Sequence, residues 1–551
     1  MAQVKTEIEQ RLEDVLEKLG IAEVPVSLEY PADLTHGDYA TNVALVAAKK
    51  LKTTPRELAE KIVAELGDIE EVERIDIAGP GFINFTLAQN YFANAVRSVD
   101  DTWGKNQTLA GRKIIVEYVN ANSFKELHIG HLMGASIGES LSRVLEFSGA
   151  EVKRESYGGD VGPHAAKAIY GLQQLNEGVK SDIIGKAYAL GARAYESDEE
   201  AKGAIDVINK QVYEGSNKAI NALHKEGVQA SIQAVEPVLQ FLGTTLDRFI
   251  FESETAPPGL ALVEEGLEKG VFEESDGAVV YKGEKQGLHT RVFRTSKKTP
   301  TYEAKELGLE TVKDAWWEHD TSIILTANEQ KSYFQVTLAA LKELRPEQAQ
   351  KVSHVSHGML RLMHGKMSSR TGDVITAKSF IEETVSAVEK IVADRDLGDT
   401  KKDVIEAVAA AAIKYVILKQ SSGRDVVYDE KSAISFEGDS GPYLQYSYVR
   451  ALSVLKKANG NEQGESPETT PEFERLIPRF PDVVLRAAQE YEPHHITTYL
   501  TQLAGAFNSW YASEKIIGSE HEGYKLALTH AFATTMKNGL WLLGIQAPEK
   551  M

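Results

Sequence analysis

Residues 113–119 read KIIVEYV, residues 128–131 read HIGH, and residues 151–156 read EVKRES. The first run is apolar and β-rich, and the second is a glycine-bearing turn before an amphipathic helical pattern that reaches about Phe147. Gly149 is the predicted residue just after that helix, and the third run is a second strand. Strand, glycine turn, helix and strand in this order form the unit of a parallel, nucleotide-binding sheet, so the sequence predicts an α/β domain.

The segment before this unit predicts a small α+β domain. Apolar residues between Val4 and Leu19 recur at three- and four-residue spacing, which predicts an amphipathic helix that ends at Gly20. Alternating residues 75–77 and 82–85 flank a Gly-Pro-Gly turn and predict two strands. A polar linker follows, so we place the first domain at residues 1–108.

The remainder of the chain predicts two further domains. Residues from about 165 to 270 are mostly helical and charged, which indicates an insertion in a domain that spans residues 109–400. The pattern is again helical over residues 401–551, with a Gly- and Pro-bearing loop near residues 459–471. Further strand signals within the middle domain lie at residues 278–281, 291–293, 321–325 and 351–355.

Composition limits the class of protein. The 551 residues are 42% hydrophobic and 26% charged, which is typical of a folded globular protein and excludes a disordered or collagen-like chain. Cysteine is absent, which excludes disulfides, thiolate metal sites and a cysteine nucleophile. The net charge of −20 excludes a general nucleic-acid coat protein but leaves room for an enzyme with a local basic strip. Neither a signal-peptide pattern nor a membrane-spanning run is visible, so we expect a cytoplasmic protein without membrane contact.

Two motifs carry phosphate chemistry. The turn at residues 128–131 precedes a helix, where free backbone N–H groups, the helix dipole and two imidazoles favour an anion. We expect Gly130 to leave room for a planar base beside the backbone. The loop from Lys366 to Gly372 offers a lysine and hydroxyls that suit a triphosphate. Taken singly, a chance match for the first motif and a solvated basic loop for the second remain open.

Together the motifs resemble those of class I aminoacyl-tRNA synthetases, and the flanking residues are similar to those of arginyl-tRNA synthetases. The resemblance spans nearly the whole chain. Its further stretches are Val116-Glu117-Tyr118 with Asn122 and Lys125, Gly159-Asp160 with Gly162, Thr301-Tyr302 with Glu306, His357-Gly358-Met359, Gly441 to Tyr446 with Arg450, Phe507-Asn508, Gly544 to Met551, His36 to Asn42, and Gly79 to Phe85.

This resemblance implies a Rossmann-like catalytic domain, an N-terminal α+β domain that binds the tRNA elbow, and an all-α anticodon-binding domain. It implies that L-arginine and ATP give arginyl-adenylate and pyrophosphate, and that the arginyl group then passes to tRNA(Arg), with tRNA needed for the first step. Mg²⁺ would arrive with ATP, no protein-held metal is expected, and the chain would act as a monomer.

The resemblance also implies a role for individual residues. The expected catalytic residues are His128, His131, Lys125 and Lys366. Expected ATP-binding residues are His128, Gly130, His131, Gly134, Met359, Lys366, Met367, Ser368 and Ser369. Expected arginine-binding residues are Glu117, Asn120, Asn122, His131, Tyr302, Glu306 and Gln330. Expected tRNA-binding residues are Phe82, Asn84, Tyr446, Arg450, Trp510 and Met551, with Tyr448, Phe507 and Tyr511 as further stacking surfaces.

Three positions depart from the family pattern. Glu306 stands where the family usually has aspartate, and Asn120 stands where many relatives have serine. Ser369 replaces the second lysine of the Lys-Met-Ser loop. Lys125, three residues before His128, would supply the missing positive charge near the α-phosphate.

Three alternatives remain at this point. One is a different class I synthetase. The absence of cysteine opposes the zinc-dependent cysteinyl enzyme, and the length leaves little room for the large editing domain of the isoleucyl, leucyl and valyl enzymes. A non-catalytic tRNA-binding paralogue would be expected to lose a motif histidine or Lys366, and both are present. A small-molecule nucleotidyltransferase would not need a helical C-terminal domain of this size.

Overall fold

The computed structural model describes residues 2–21, 24–31, 33–363, 375–458, 464–467 and 470–551. Two compact units divide the chain. The first comprises residues 1–105, 446–486 and 498–539, and the second comprises residues 106–445, 487–497 and 540–551. The predicted domain boundaries after residues 108 and 400 stay predictions.

The chain contains both helices and strands, and they include strands that the sequence patterns did not indicate, among them residues 248–251 and 426–428. The helices are α1 (Ala2–Lys18), α2 (Val43–Leu51), α3 (Pro55–Leu66), α4 (Gln89–Arg97), α5 (Ile129–Phe147), α6 (Pro163–Leu175), α7 (Ile184–Ser197), α8 (Glu199–Glu214), α9 (Lys218–Phe241), α10 (Glu252–Glu268), α11 (Tyr302–Trp316), α12 (Lys331–Leu344), α13 (Pro346–Lys351), α14 (Ala377–Ile391), α15 (Lys401–Leu418), α16 (Glu430–Ala433), α17 (Gly441–Lys457), α18 (Glu472–Leu476), α19 (Phe480–Glu490), α20 (His494–Ser513) and α21 (Glu522–Leu542). The strands are β1 (Tyr39–Thr41), β2 (Val72–Ala78), β3 (Phe82–Leu87), β4 (Lys113–Glu117), β5 (Glu151–Gly158), β6 (Arg248–Phe251), β7 (Glu273–Ser275), β8 (Ala278–Tyr281), β9 (Arg291–Arg294), β10 (Thr321–Ala327), β11 (Val352–His357), β12 (Leu360–Leu362) and β13 (Val426–Tyr428).

The second unit is built on a five-stranded parallel sheet in the order β11-β10-β4-β5-β6. Its central strand β4 buries Ile114, Ile115 and Val116, because a parallel strand covered on both faces excludes water from every position. The chain leaves β4 towards β5 and β6 on one side and later returns to β10 and β11 on the other. The strand order therefore reverses at β4, and ligands of such sheets bind beyond the carboxyl ends of the strands at that point. The parallel α/β fold is confirmed.

The predicted insertion at about residues 165–270 needs a correction. Helices α7, α8 and α9 do lie there, but residues 248–251 form β6, which pairs in parallel with β5 at the edge of the main sheet. The run Arg-Phe-Ile-Phe is too short for its periodicity to distinguish a buried strand from a helix. Strands β8 and β9, which the sequence does predict, form a separate antiparallel sheet with β7.

The first unit contains the predicted N-terminal elements. Helix α1 packs its apolar face into a core with α2, α3 and the antiparallel sheet β1-β3-β2. Gly20 follows α1 with a φ of +73°, a left-handed conformation that glycine adopts without a Cβ clash. The predicted strand pair and its intervening turn are confirmed by β2 and β3.

A buried carboxyl group in the first unit links its stability to pH. Glu474 on α18 is 1% exposed and accepts a hydrogen bond from the Tyr524 hydroxyl. Burial raises the pKa of Glu474 to about 7. Because the folded state binds this proton more tightly than the unfolded chain, stability is greatest below the ordinary glutamate pKa and falls as pH rises through 7.

We expect Glu474→Gln to weaken this pH dependence. In the wild type, Glu474 should lower the free energy of unfolding by on the order of 2–3 kcal/mol between pH 4.5 and pH 8. The glutamine variant should lose that part of the decline, which calorimetric Tm values at several pH values would measure. The control is Glu472→Gln, because Glu472 is an exposed glutamate on the same helix. If Tm depends on pH equally steeply in the wild type and in Glu474→Gln, the expectation is wrong.

Candidate active site

A cavity of about 450 Å³ opens at the carboxyl ends of β4 and β5, beside α11, and we call it the acidic cavity. Glutamates dominate its polar lining. They are Glu117, Glu252, Glu303, Glu306 and Glu329. Lys305 pairs with Glu252, Arg291 lies 3.3 Å from Glu303, and Lys313 pairs with Glu117, so three of these five charges are already balanced. An excess of negative charge at a strand-end crevice suits a cationic ligand.

Glu306 is the buried glutamate of the acidic cavity that has no partner among the described residues. It lies on α11, is 8% exposed, and makes no hydrogen bond or ion pair within the described part of the chain. Burial, followed by the nearby charge of Glu117, raises its pKa well above the usual range. An incoming cation would reverse this effect, because an opposite charge favours the ionised carboxylate.

Glu117 ends β4 and is 1% exposed. Lys313 Nζ donates to Glu117 Oε2 at 2.6 Å, so this carboxylate already has a cationic partner. Lys313 is not among the residues expected from the sequence. On α11, Lys313 lies three residues after Glu310 and seven after Glu306, so this stripe of charged residues at helical spacing was the available signal.

The expected amide residues also line the acidic cavity. Asn122 Oδ1 accepts from the Gly159 N–H at 2.8 Å, and a Cβ at Gly159 would lie only 2.7 Å from that oxygen. Asn120 adopts a φ of +52° and donates to the Leu325 carbonyl at 3.4 Å. Gln330 lies in a short 3-10 turn after β10. These groups offer donors and acceptors beside the carboxylates.

Tyr302 begins α11 and lies at the rim of the acidic cavity. Its side chain is 67% exposed, and the Lys305 ammonium lies 5.2 Å from its ring centre. An aromatic face that already attracts an ammonium is available to a guanidinium as well.

The histidine turn forms the N-terminus of α5 and faces a second cavity of about 760 Å³, the histidine cavity, which Asn122 also lines. His128 Nδ1 accepts from the Gly130 N–H at 3.1 Å, and His131 Nδ1 accepts from the His128 N–H at 3.0 Å. Both rings thereby cap the helix through Nδ1. For neutral His128 the proton then resides on Nε2, which is left to donate to a phosphate oxygen. His131 Nδ1 also lies 3.2 Å from the His128 carbonyl oxygen, so its contacts allow either tautomer.

Both histidines are neutral at physiological pH. Burial, followed by the neighbouring His128, lowers the pKa of His131 to about 3. Burial, followed by Lys125, also lowers the pKa of His128. Fixed positive charge beside this turn must therefore come from lysine or arginine.

A second reason for glycine at position 130 is visible within the turn itself. A Cβ there would lie 2.8 Å from His128 Cε1, so glycine allows the His128 ring to fold back onto the helix end. The expected room for a planar base stays a prediction. At Gly134 a Cβ would meet Val119 N at 3.6 Å and His357 Nε2 at 3.7 Å, which are ordinary contacts.

Lys125 lines the histidine cavity together with His128 and His131. Its Nζ lies 5.6 Å from the centre of the Tyr188 ring. Burial, followed by the charge of Lys167, lowers the pKa of Lys125. Both influences disfavour its charged form, so an anion in this cavity would be a stabilising partner.

The other expected ATP contacts are only partly described. Met359 is 37% exposed, and its N–H donates to Asp425 Oδ1 at 2.9 Å. Lys366, Met367, Ser368 and Ser369 lie outside the described residues.

The residues expected to contact tRNA differ in how exposed their side chains are. Phe82 is 42% exposed, whereas Asn84 is 6% exposed in the central strand β3, so the expectation for Asn84 does not follow from its placement. Arg450 lies over Tyr446 at 4.8 Å and over Tyr511 at 5.1 Å, which presents a cation between two aromatic rings. Met551 is partly exposed at the end of the second unit.

The predictions that Phe507 and Tyr448 provide stacking surfaces for tRNA bases are wrong. Phe507 is fully buried and stacks on Phe532 at 3.8 Å, and Tyr448 is 7% exposed. Trp510 is half-buried against Phe473. The helical spacing of these aromatics reflects the core of the bundle.

Metal and membrane features complete the description. Over the residues that the structure describes, no group of three or more His, Asp or Glu side chains is arranged to hold a metal ion. In the same part of the chain, no helix combines the length and the apolar character needed to cross a bilayer.

Comparison with known families matches three models to this chain. They are described as tRNA synthetases class I (R), catalytic domain, over residues 95–429; DALR anticodon binding domain, over residues 444–551; and arginyl tRNA synthetase N terminal domain, over residues 2–87. An arginine–tRNA ligase of Methanosphaera stadtmanae is 30% identical, with 100% of both chains covered. One of Treponema denticola is 29% identical over 96% of this chain and 95% of the relative. The solved arginyl-tRNA synthetase of Thermus thermophilus shares 23% identity and a TM-score of 0.85, with 100% of both chains covered.

The parallel sheet, its strand-end crevice and the histidine turn thus define a class I aminoacyl-tRNA synthetase. The particular assignment follows from matches along nearly the full length. The chain belongs to the arginyl-tRNA synthetase family.

Proposed function

We propose that this chain ligates L-arginine to tRNA(Arg) with ATP, through arginyl-adenylate and with release of pyrophosphate and AMP. The observation that carries this assignment is an acidic cavity at the sheet switch point, which shares the lining residue Asn122 with the cavity of the histidine turn. Family membership supports the same activity.

The acidic cavity takes the arginine side chain. Glu117 and Glu306 hold the guanidinium, for which paired carboxylates are the matching acceptors, and Tyr302 covers it at the rim. Asn120, Asn122 and Gln330 contact the α-amino and carboxylate ends. This arrangement leaves the arginine carboxylate free to attack the α-phosphate of ATP.

The histidine cavity takes the reacting phosphates. The Nε2–H groups of His128 and His131 donate to phosphate oxygens, while Lys125 and Lys366 provide positive charge as the α-phosphate becomes more negative. Gly134, Met359 and the Lys-Met-Ser loop contact the rest of ATP. Mg²⁺ is carried in by the ATP phosphates, whose oxygens are its preferred ligands.

Further proposals concern the whole chain. The N-terminal domain contacts the tRNA elbow through Phe82, and the C-terminal helical domain contacts the anticodon through Tyr446, Arg450, Trp510 and Met551. Aromatic faces and an arginine suit splayed bases. The chain acts as a monomer in the cytoplasm.

Pyrophosphate exchange across the twenty amino acids, with and without tRNA, tests the activity. We expect exchange with arginine only, and only when tRNA is added, because the acidic cavity matches a guanidinium and the family requires bound tRNA. Strong exchange with another amino acid, or full activity without tRNA, would contradict the proposal. Binding of tRNA without any exchange would instead indicate a non-catalytic paralogue.

A further inference from the structure

Lys313 is a fully buried ammonium that lies behind the acidic cavity. Its Nζ donates to Glu117 Oε2 at 2.6 Å, to Glu310 Oε1 at 3.0 Å and to Ser322 Oγ at 3.2 Å. Of these acceptors, only Glu117 also lines the cavity. Lys313 therefore holds one oxygen of a cavity carboxylate from the protein side.

Four buried carboxyl groups surround this single ammonium. Glu155 faces Glu117 directly in the β4–β5 register, its Oε2 lies 3.8 Å from Lys313 Nζ, and both its oxygens are buried without a hydrogen bond in the described chain. Glu306 and Glu310 face Glu117 from α11. One positive charge cannot stabilise four buried negative charges, because each desolvated carboxylate costs several kcal/mol, an order-of-magnitude value, unless it is paired.

The buried carboxyl groups around Lys313 differ in how their pKa values are shifted. Burial, followed by Glu117, raises the pKa of Glu155 well above the usual range. Burial also raises the pKa of Glu117, and Lys313 is the strongest influence that opposes this rise. Although burial alone would raise it, Lys313 and then His319 bring the pKa of Glu310 to about 2. Lys313 thus favours the ionised form of Glu310 and Glu117, whereas Glu155 has no such partner at hydrogen-bond distance.

We propose that Lys313 is a positioning residue for arginine recognition, which keeps Glu117 ionised and leaves its second oxygen for the guanidinium. This inference rests on the proposed role of the acidic cavity. The guanidinium then supplies the second cation of the site, and Glu306 becomes its other acceptor. A neutral side chain of similar shape brings no such charge and leaves Glu306 unpaired.

A purely structural role for Lys313 makes a different prediction. Removing Lys313 alone leaves Glu117 and Glu310 buried without a counter-ion, which would destabilise the fold whatever the role in recognition. The double variant Lys313→Met with Glu310→Gln removes one positive and one negative charge. The net charge of the cluster is therefore unchanged, while the ammonium that holds Glu117 is gone. The double variant thus tests the positioning of Glu117 apart from the net charge.

We expect the double variant to fold, with a Tm between those of Lys313→Met and the wild type because only Glu117 is left without its ammonium, but to show a KM for arginine raised at least about tenfold. Its KM for ATP should change less than about twofold, because the histidine cavity is untouched. The acid limb of its kcat/KM for arginine should move to higher pH, since Lys313 no longer opposes the effect of burial on the pKa of Glu117.

Glu310→Gln alone should move that acid limb in the opposite direction. It removes a negative charge that raises the pKa of Glu117 and leaves Lys313 in place. If Lys313 had only a structural role, the acid limb would not be expected to move in opposite directions in the double variant and in Glu310→Gln. This single variant also decides the question if the double variant fails to fold, because an unchanged acid limb would then overturn the inference.

Other outcomes separate this inference from the proposed function. A KM for arginine within about threefold of the wild type in the folded double variant, with an unchanged pH profile, would overturn the role of Lys313. Wild-type kinetics for Glu117→Gln would instead show that the guanidinium binds elsewhere, and the proposed cavity itself would be wrong.

Discussion

Replacing Lys125 by alanine is expected to slow arginyl-adenylate formation by on the order of 10²-fold or more, with the affinity for ATP nearly unchanged. Both motif histidines are neutral, so the positive charge of the cavity that they share comes from Lys125, which lies beside them in the chain, and from Arg193. That charge matters most as the α-phosphate becomes more negative, so its loss falls on the transition state and lowers kcat.

Single-turnover adenylate formation with saturating ATP, arginine and tRNA measures this effect. Lys378→Ala is the control, because Lys378 is an exposed lysine beside Glu382 on α14. Adding Ser369→Lys to Lys125→Ala should restore part of the rate by returning the lysine that the loop lacks. A Lys125→Ala rate within about threefold of the wild type, a difference under about 1 kcal/mol, would show that Lys125 does not replace the missing second lysine of the loop. Arg370 would then be the next candidate for that positive charge.

Glu306→Ala is expected to raise the KM for arginine by about 10²-fold, which corresponds to about 3 kcal/mol for a lost charge-assisted contact in a desolvated site. Glu306 is the buried glutamate of the acidic cavity without a hydrogen-bond or ion-pair partner in the described residues. Its carboxyl group is therefore available to the substrate, whose positive charge favours the ionised form. Glu306→Asp should be tolerated better, because it keeps the carboxylate and restores the residue usual in the family.

Competition between arginine and citrulline would sharpen this test. Citrulline has nearly the shape of arginine without its charge, so wild-type enzyme should reject it strongly. Glu306→Gln keeps the side-chain size but removes the charge. This variant should therefore show a smaller preference for arginine over citrulline. An unchanged preference in Glu306→Gln would show that Glu306 does not contact the guanidinium.

Several elements were predictable because their signals are local. Helix α5 and strands β4 and β5 follow from periodicity, and the φ of +96° at Gly149 agrees with its predicted place after α5. Strand β6 was missed because its apolar run is short and lies among helical segments. The contact between Gly130 and the His128 ring was not predicted, because it depends on how that ring folds back within the turn.

The sequence by itself determined the family, the parallel α/β class and the residues expected at the site, because motif spacing and hydrophobic period are properties of the chain alone. Only the tertiary structure decided how these residues are charged. Lys313 and Glu117 lie 196 positions apart in the chain, yet their side chains meet at 2.6 Å behind the acidic cavity. Protonation of Glu306 and the histidines likewise depends on burial and on neighbours brought together from distant segments, since desolvation and nearby charge set a pKa.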